Sequence, residues 1–284
     1  MNRYLAALVI SVLFYSNFVF AADPVCGTRS WGDLEAKYCV GTPVSGDSDT
    51  VLVYFHGLGG SEKEWFTSPD FTAIHAELNK RKFDPWIVTI SYGQAWLLTE
   101  VPNSLLLFPK TVDELLPSIL NNIKPNGFAH KYLAGASMGG LNTSQVMLKR
   151  PQMFEKYMLI FPAITTVGPY SPQKDVVKYI SRTGAQAKRV AFMLEWGKLE
   201  FPTINDWQNH APLVLADLNV SLPRVYVSCG LKDEFGFQEG SNLLYAKIRP
   251  KAVSAWWVPI PNGLHCAADP KSIGEFLTTD RIMH

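Results

Sequence analysis

The sequence predicts a single α/β domain with a mostly parallel central sheet covered by helices on both faces. The chain has 284 residues, of which 47% are hydrophobic and 18% are charged, and this composition suits one substantial buried core. Short apolar runs alternate along the chain with segments of helical periodicity, as the crossover connections of parallel strands require. A serine between glycines lies at one predicted strand-to-helix junction.

The predicted strands are short runs rich in β-branched and aromatic residues. They lie at residues 51–55, 86–90, 131–134, 157–161, 224–228 and 255–260. Helical spacing predicts helices at 71–80, 105–123, 139–149 and 241–247, and a final helix from about Pro270. Within the domain, which is predicted to span 22–284, residues 163–223 are expected to form an irregular insertion over the carboxyl edge of the sheet.

The N-terminal residues predict export. Arg3 precedes an apolar stretch at 4–20, and the small residues Ala21 and Ala22 follow, which is the pattern of a secretory signal peptide at 1–21. Cleavage is expected after Ala21, with Ala22 as the next choice, and an uncleaved membrane anchor is the alternative. The mature protein is therefore expected to be periplasmic or secreted, with no stable membrane anchor.

Charge and motif content narrow the expected partners. The formal net charge is +1 and lysines and arginines form no run, so neither nucleic acid nor an anionic membrane is indicated as a partner. The sequence contains no metal-ligand spacing such as H-E-x-x-H, and no metal or other cofactor is implied. A small-molecule substrate is the partner that remains.

The chain has four cysteines, which an oxidising compartment would allow to form disulfides. Cys26 and Cys39 are close in sequence, which leaves Cys229 and Cys266 as the second predicted pair. Reduced thiols are the alternative, because sequence does not show the distance between two sulfurs.

The glycine-flanked serine is Ser137, which lies in Gly-Ala-Ser-Met-Gly at 135–139. This is the G-x-S-x-G pattern of a serine on a strained turn between a strand and a helix. Glycine is needed on either side because the strand and the helix cross closely. The pentapeptide alone is a weak signal and a plain glycine-rich turn is the alternative, but the strand before it and the helix after it favour a nucleophile.

A nucleophilic serine needs a histidine to accept its proton and a carboxylate to orient that histidine. Asp233 and His265 each follow a predicted late strand, in the order expected after this type of turn. Glu234 is the alternative acid. The remaining histidines are interpreted as weaker alternatives, as loop support, or as surface and helix-end residues: His210, His284, His56, His75 and His130.

Attack on an ester carbonyl builds negative charge on oxygen, which needs N–H donors already in place. One predicted donor is the backbone N–H of Met138, at the start of a helix where the dipole is favourable. The other is assigned to Leu58, in the His-Gly-Leu-Gly-Gly run at 56–60. A flexible turn is the alternative for this run.

Three tryptophans are candidates for a substrate pocket. Trp65, Trp96 and Trp207 lie in segments expected to reach the carboxyl edge of the sheet, where they could bind phenolic or sugar esters. The alternative is that they only cover the core.

With these motifs the chain resembles the esterase branch of the α/β-hydrolases, which includes feruloyl esterases, S-formylglutathione hydrolases and mycolyltransferases. The matching segments are 134–141, 150–154, 112–117 and 91–94. The resemblance implies the α/β-hydrolase fold, and its last segment adds Gln94 as a substrate-binding candidate. Residues 163–223 match little of that branch, so the resemblance does not define the acyl group.

Together these features predict an exported serine esterase with a catalytic triad of Ser137, Asp233 and His265. It would cleave a small carboxylic ester, for which aromatic and sugar esters are candidates, through an acyl-enzyme intermediate. An acyltransferase, a peptidase and a non-catalytic binding protein of the same fold remain alternatives.

Overall fold

The computed structural model describes residues 23–31, 34–91, 93 and 107–279. Within these residues, eight strands form one sheet: β1 (Val25–Trp31), β2 (Leu34–Gly41), β3 (Thr50–Phe55), β4 (Trp86–Ser91), β5 (His130–Ala136), β6 (Lys156–Ile160), β7 (Leu222–Gly230) and β8 (Ala252–Ile260). Their order is β1-β2-β4-β3-β5-β6-β7-β8. Strands β3 to β8 are parallel, whereas β2 is antiparallel to both β1 and β4.

Helices cover both faces of this sheet. They are α1 (Glu64–Thr67), α2 (Thr72–Lys80), α3 (Leu107–Pro109), α4 (Leu116–Ile123), α5 (Met138–Lys149), α6 (Gln173–Thr183), α7 (Ala187–Glu200), α8 (Ile204–His210), α9 (Pro212–Leu215), α10 (Phe237–Ile248) and α11 (Pro270–Thr278). In the described part of the chain, 3₁₀ turns lie at Pro69–Phe71 and Arg249–Lys251, and a π-helical turn at Lys110–Leu115 joins α3 to α4.

Strand β3 shows how the two faces are buried, because successive side chains of a strand point to opposite sides. Val51, Val53 and Phe55 pack on the face covered by α4, α5 and α10. Leu52 and Tyr54 pack on the face covered by α2 and α11. The prediction of a mostly parallel sheet between two helical layers is therefore confirmed, and β3 to β8 correspond to the six predicted strands.

The sequence did not predict the N-terminal hairpin of β1 and β2. Cys26 and Cys39 face each other across it, with 4.0 Å between their Cα atoms, and they form a disulfide. This is the pairing expected from their spacing in the sequence. The bond fixes the register of β1, which is the edge strand of the sheet.

The sequence predicts helical pieces within the insertion at 163–223, such as one at 174–180, and α6 (Gln173–Thr183) includes that piece. The insertion contains α6, α7, α8 and α9. Trp207, in α8, packs edge-on against Phe201 with 5.2 Å between ring centroids. The indole of Trp207 also packs directly on Gly168. A Cβ at Gly168 would lie 2.2 Å from the indole nitrogen, so glycine is the residue that leaves room for this side chain.

Some predictions fall outside the described residues. These are the signal peptide at 1–21 and the pocket candidates Gln94 and Trp96. Among the residues that the structure does describe, no helix is both long enough and apolar enough to cross a membrane.

His75 was interpreted as a surface or helix-end histidine, and the structure corrects this. It lies in α2 with 4% of its surface exposed, and its ring packs 5.1 Å from that of Trp65 and 6.2 Å from that of Phe71. Ile74 and Leu78 bury the same side of α2, so His75 belongs to the core beneath the helix.

Burial of His75 predicts a loss of stability in acid. Desolvation lowers the pKa of His75 to about 4, against about 6.5 in an unfolded chain. Between these values the unfolded state binds the proton more tightly, so the free energy of unfolding should fall by up to about 3 kcal/mol as the pH drops from 6.5 to 4. Urea unfolding of His75→Phe should show a smaller loss over this interval, and an equal loss in both proteins would contradict the assignment.

Candidate active site

Ser137 lies on a strained turn between β5, which ends at Ala136, and α5, which begins at Met138. Its backbone has φ 52° and ψ −114°, a conformation that non-glycine residues rarely adopt. The flanking glycines permit the turn. A Cβ on Gly135 would lie 2.2 Å from the carbonyl oxygen of Gly139, and one on Gly139 would lie 2.0 Å from that of Phe55.

Three predicted residues come together at this turn. Ser137 Oγ lies 3.0 Å from His265 Nε2, and His265 Nδ1 lies 2.7 Å from Asp233 Oδ2. Asp233 is 1% exposed, and its other oxygen accepts the backbone N–H groups of Phe235 at 2.8 Å and Phe237 at 3.4 Å. Because the carboxylate accepts a hydrogen bond from Nδ1–H, the imidazole in this tautomer presents Nε2 to the serine as an acceptor.

Glu234, the alternative acid, makes a different contact. Its Oε2 accepts the backbone N–H of His265 at 2.6 Å, while its Oε1 lies 3.8 Å from the guanidinium of Arg189. Glu234 therefore holds the main chain of the histidine loop, whereas Asp233 holds the imidazole ring.

Aromatic rings surround the imidazole of His265. The rings of Phe161, Phe235 and Phe237 lie edge-on to it, at centroid distances of 5.3, 4.9 and 5.4 Å. Phe161 itself has φ 36°. This packing restricts rotation of the imidazole.

The loop that carries Asp233 is held from outside by the insertion. The buried hydroxyl of Tyr179, in α6, donates to the carbonyl oxygen of Phe235 at 2.8 Å, and the N–H of Gln186 donates to that of Glu234 at 2.8 Å. Burial, with a smaller contribution from Asp233, raises the pKa of Tyr179 far above its ordinary value. Tyr179 is therefore a permanent donor at neutral pH.

The two predicted oxyanion donors border the same space as Ser137. The N–H of Met138 belongs to the first turn of α5, where amides have no intrahelical acceptor. Leu58 occupies the second position of a β-turn closed by the bond from Gly60 N to Gly57 O at 3.0 Å. Gly59 has φ 86°, the value that the third position of a type II turn requires.

His56 supports this turn, as the sequence suggested. The ring is buried, with Nδ1 2.7 Å from the carbonyl oxygen of Gly57 and Nε2 2.8 Å from Ser91 Oγ. Ser91 ends β4, the strand next to β3, so His56 links the turn to the sheet.

A cavity of about 420 Å³ opens onto Ser137 and His265. One wall is a face of α7, formed by side chains spaced three or four residues apart: Arg189, Phe192, Met193 and Trp196. These residues were not predicted as part of the site, although the same spacing is visible in the sequence of α7. The helical periodicity that was used to locate other helices would have identified this face.

Of the three tryptophans predicted to bind substrate, the structure describes Trp65 and Trp207, and neither lines this cavity. Trp65 is 1% exposed and packs on Tyr54 and Phe71, at centroid distances of 4.9 and 5.1 Å. Trp207 packs inside the insertion instead. Both predictions are therefore corrected to packing residues, and among the tryptophans that the structure describes, Trp196 borders the cavity.

The predicted disulfide between Cys229 and Cys266 is absent, and both residues are free thiols. Cys229 is buried at the end of β7 with Sγ 3.9 Å from Asp233 Oδ2, whereas Cys266 is exposed beside the cavity. The two loops are joined instead by main-chain bonds from Leu231 N to Ile260 O at 2.9 Å and from Lys232 N to Gly263 O at 2.8 Å.

Alkylation followed by mass spectrometry checks this arrangement of one disulfide and two free thiols. Iodoacetamide added to the unfolded, unreduced chain should modify Cys229 and Cys266, giving two adducts, and four should appear after reduction. Burial and then nearby carboxylates, of which Asp70 contributes most, raise the pKa of Cys266 to about 11, so native labelling near neutral pH should be slow. An unreduced chain that takes up no label would show that a second disulfide exists.

In the described part of the chain, no group of three or more histidine, cysteine, aspartate or glutamate side chains is placed to hold a metal ion. The described site comprises Ser137, His265, Asp233 and the backbone N–H groups around them. On an eight-stranded, mostly parallel sheet, this places the chain in the structural class of the α/β-hydrolase fold.

Comparisons with solved structures agree with that class. An S-formylglutathione hydrolase from Agrobacterium tumefaciens has a TM-score of 0.61 at 17% identity, covering 91% of this chain and 93% of that one. A thermostable carboxylesterase cloned from a metagenomic library has a TM-score of 0.65 at 16% identity, covering 91% and 90%. At these identities the likeness confirms the predicted α/β-hydrolase fold.

A curated relative matches more closely over a shorter stretch. It is an endo-1,4-beta-xylanase/feruloyl esterase of Xylanibacter ruminicola, 32% identical over 169 residues. The match covers 54% of this chain but only 22% of the relative, so the chain spans about a fifth of that protein. No family model matches the chain.

Proposed function

We propose that the chain is an exported serine esterase that hydrolyses carboxylic esters through an acyl-enzyme at Ser137. The observation that carries this proposal is the hydrogen-bonded series from Ser137 through His265 to Asp233, at 3.0 and 2.7 Å. The series faces a cavity of about 420 Å³, which is the size of a small-molecule site.

In the first half of the reaction, Ser137 Oγ attacks the ester carbonyl while His265 Nε2 takes its proton. The buried Asp233 carboxylate stabilises the imidazolium that forms, without accepting the proton itself. The N–H groups of Met138 and Leu58 stabilise the negative charge on the carbonyl oxygen. Collapse of the tetrahedral intermediate breaks the ester bond, and His265 returns the proton to the leaving alcohol.

In the second half, water replaces the alcohol. His265 Nε2 accepts a proton from the water as it attacks the acyl carbonyl, and the same N–H groups hold the second oxyanion. Collapse breaks the bond to Ser137 Oγ and releases the carboxylic acid, and His265 returns the proton to the serine. Bond making and breaking are thus balanced over one ester and one water.

The cavity favours an ester with an aromatic or other apolar group. Its lining includes Phe161, Phe192, Trp196, Phe235 and Phe237, which present flat apolar surfaces beside the serine. A feruloyl ester is the natural first candidate to assay, because the curated relative carries feruloyl esterase in its name.

Export is part of the proposal, and the Cys26–Cys39 disulfide supports it. Structural disulfides persist in oxidising compartments such as the periplasm and the extracellular space and are rare in a reducing cytosol. Fractionation of cells that express the full chain, followed by N-terminal sequencing of the product, tests both export and the expected cleavage after Ala21.

The test of the catalytic proposal is to find the nucleophile. Purified protein should react with a fluorophosphonate to give one adduct per chain, located by peptide mass spectrometry on Ser137. A short 4-nitrophenyl ester and methyl ferulate should both be turned over, with a stoichiometric burst where deacylation is slow. Turnover with the adduct on another residue would overturn the mechanism, and labelling without turnover of any ester would overturn the esterase assignment.

The same assay separates hydrolysis from acyl transfer. An acceptor alcohol added at rising concentration competes with water for the acyl-enzyme. In a hydrolase the free acid remains the main product, whereas in an acyltransferase the new ester dominates at low alcohol concentration. The proposal expects the free acid.

A further inference from the structure

One carboxylate beside the serine has no role in the reaction described above. Glu64, the first residue of α1, lines the cavity next to the turn that carries Leu58. Its Oε1 accepts the hydroxyl of Tyr54 at 2.5 Å and lies 3.5 Å from the N–H of Gly57. Tyr54 is fully buried in β3, so it anchors the carboxylate to the sheet.

The other oxygen of Glu64 fills the space beside Gly60. A Cβ on Gly60 would lie 1.7 Å from Oε2 and 2.8 Å from the carboxyl carbon, so glycine is the residue that lets the carboxylate settle there. The left-handed backbone that usually selects glycine is not the reason here, because Gly60 is not among the glycines with positive φ. The constraint comes mainly from Glu64, with a smaller contribution from Gly57 O, which would lie 3.1 Å from the added Cβ.

Glu64 therefore contacts the turn at its first and last residues. Gly57 and Gly60 are themselves joined by the hydrogen bond that closes the turn, and Leu58 lies between them. The direction of the Leu58 N–H depends on the orientation of this turn. A negative charge beside a forming oxyanion is electrostatically unfavourable, so the contribution of Glu64 has to come from where its acceptor oxygens hold the turn.

We propose that Glu64 is the positioning residue of the oxyanion turn, holding Gly57 and Gly60 so that the Leu58 N–H points at the reacting carbonyl oxygen. This inference rests on the proposed ester hydrolysis at Ser137. It assigns to Glu64 an effect on the transition state, with little effect on binding of the ester.

Two substitutions at Glu64 separate acceptor geometry from charge. Glu64→Ala removes both oxygens, and kcat for a 4-nitrophenyl ester should fall about 10- to 100-fold with KM changed less than about 3-fold. Glu64→Gln keeps an acceptor oxygen for Tyr54 and Gly57, and it should retain kcat within about 3-fold of the natural protein. A glutamine variant as impaired as the alanine variant would overturn the proposal in favour of a charge effect.

Gly60 provides an independent perturbation of the same contact. Gly60→Ala should push the carboxylate away from the turn and lower kcat to a similar extent as Glu64→Ala. In the Glu64→Ala background the added methyl group has no carboxylate to displace, so the double variant should be no slower than Glu64→Ala alone. Fully additive losses would mean that the methyl group acts on substrate or backbone, and they would contradict the proposal.

A matched control and a transition-state readout complete the design. As a control, Glu62→Ala removes a carboxylate two residues earlier in the chain, and its kcat should stay within about 2-fold of that of the natural protein. A trifluoromethyl ketone, which forms a hemiketal with Ser137, should lose affinity in step with kcat across the variants. Binding of an intact ester to the Ser137→Ala forms should stay the same, and a parallel loss there would show that Glu64 binds substrate instead.

The two proposals fail in different ways. If Ser137 is not labelled and Ser137→Ala still turns over esters, the proposed acyl-enzyme mechanism at Ser137 is wrong, and the role of Glu64 that rests on it is lost as well. If Ser137 is labelled and required, and Glu64→Ala keeps full kcat while remaining folded by circular dichroism, only the role of Glu64 is overturned. Should Glu64→Ala fail to fold, the glutamine and Gly60→Ala variants decide between the outcomes.

Discussion

Replacing Ser137 by alanine is expected to lower kcat for short aryl esters by about 10⁵-fold, because the acyl-enzyme can no longer form. The residual rate would come from the oxyanion donors and the cavity alone. The measurement is steady-state hydrolysis of a 4-nitrophenyl ester, with fluorophosphonate labelling as an independent count of active serines. A kcat within about 10-fold of the natural protein would contradict the assignment of Ser137 as the nucleophile.

Asp233 and Glu234 offer a matched pair for the same experiment. Asp233→Asn should lower kcat by about 10⁴-fold, because the amide cannot orient the imidazole in the tautomer that accepts a proton at Nε2. Glu234→Gln removes an equal charge one residue later but keeps an oxygen for the His265 N–H, so its loss should stay below about 10-fold. The reverse order of effects would make Glu234 the acid.

Replacing Gly139 by alanine is expected to prevent folding, or to lower the free energy of unfolding by more than about 4 kcal/mol. The added Cβ would lie 2.0 Å from Phe55 O and 2.7 Å from His56 O. Both are main-chain atoms of the central part of the sheet and its following loop, so no side-chain rotation relieves the clash. Soluble yield and urea unfolding monitored by tryptophan fluorescence provide the measurement.

Gly184→Ala is the control for this substitution. Gly184 ends α6 with φ 74°, and the space around its missing Cβ is open. The variant should lose only about 1 kcal/mol, the cost of a left-handed backbone at alanine. If Gly139→Ala were no worse than Gly184→Ala, the close approach of α5 to the end of β3 would not be the reason for glycine at position 139.

The parts of the fold that follow from local pattern were predicted well. Strands β3 to β7 are mostly buried, because helices cover both sides, and their apolar runs, like that of the edge strand β8, stand out from the polar segments between them. The hairpin of β1 and β2 was missed because many of its residues are polar or small, as in the Gly27 to Arg29 stretch, and many of those described are exposed. Nothing in a short window distinguishes such an edge hairpin from a loop.

Some residues of the candidate site could likewise be predicted from local pattern, and others could not. Ser137, Asp233 and His265 could be selected because each follows a strand, and the carboxyl ends of parallel strands meet at one edge of the sheet. The choice of Trp65 as a pocket residue failed because position along the chain does not show which side of α1 faces the core. The pairing of Cys229 with Cys266 failed because adjacent loops do not guarantee side chains that point at each other.

The contacts of the insertion limit how a new substrate preference could be introduced into this fold. Helix α6 is hydrogen-bonded to the loop of Asp233, so replacing the whole insertion would disturb the chemistry together with the pocket. At the start of α7, Gln186 and Arg189 contact this loop, through the N–H bond to the Glu234 carbonyl and the long ion pair with the Glu234 side chain. The other residues of the cavity face are Phe192, Met193 and Trp196. Selection or design for different esters therefore has most freedom at the three positions Phe192, Met193 and Trp196, while Tyr179 should be left unchanged.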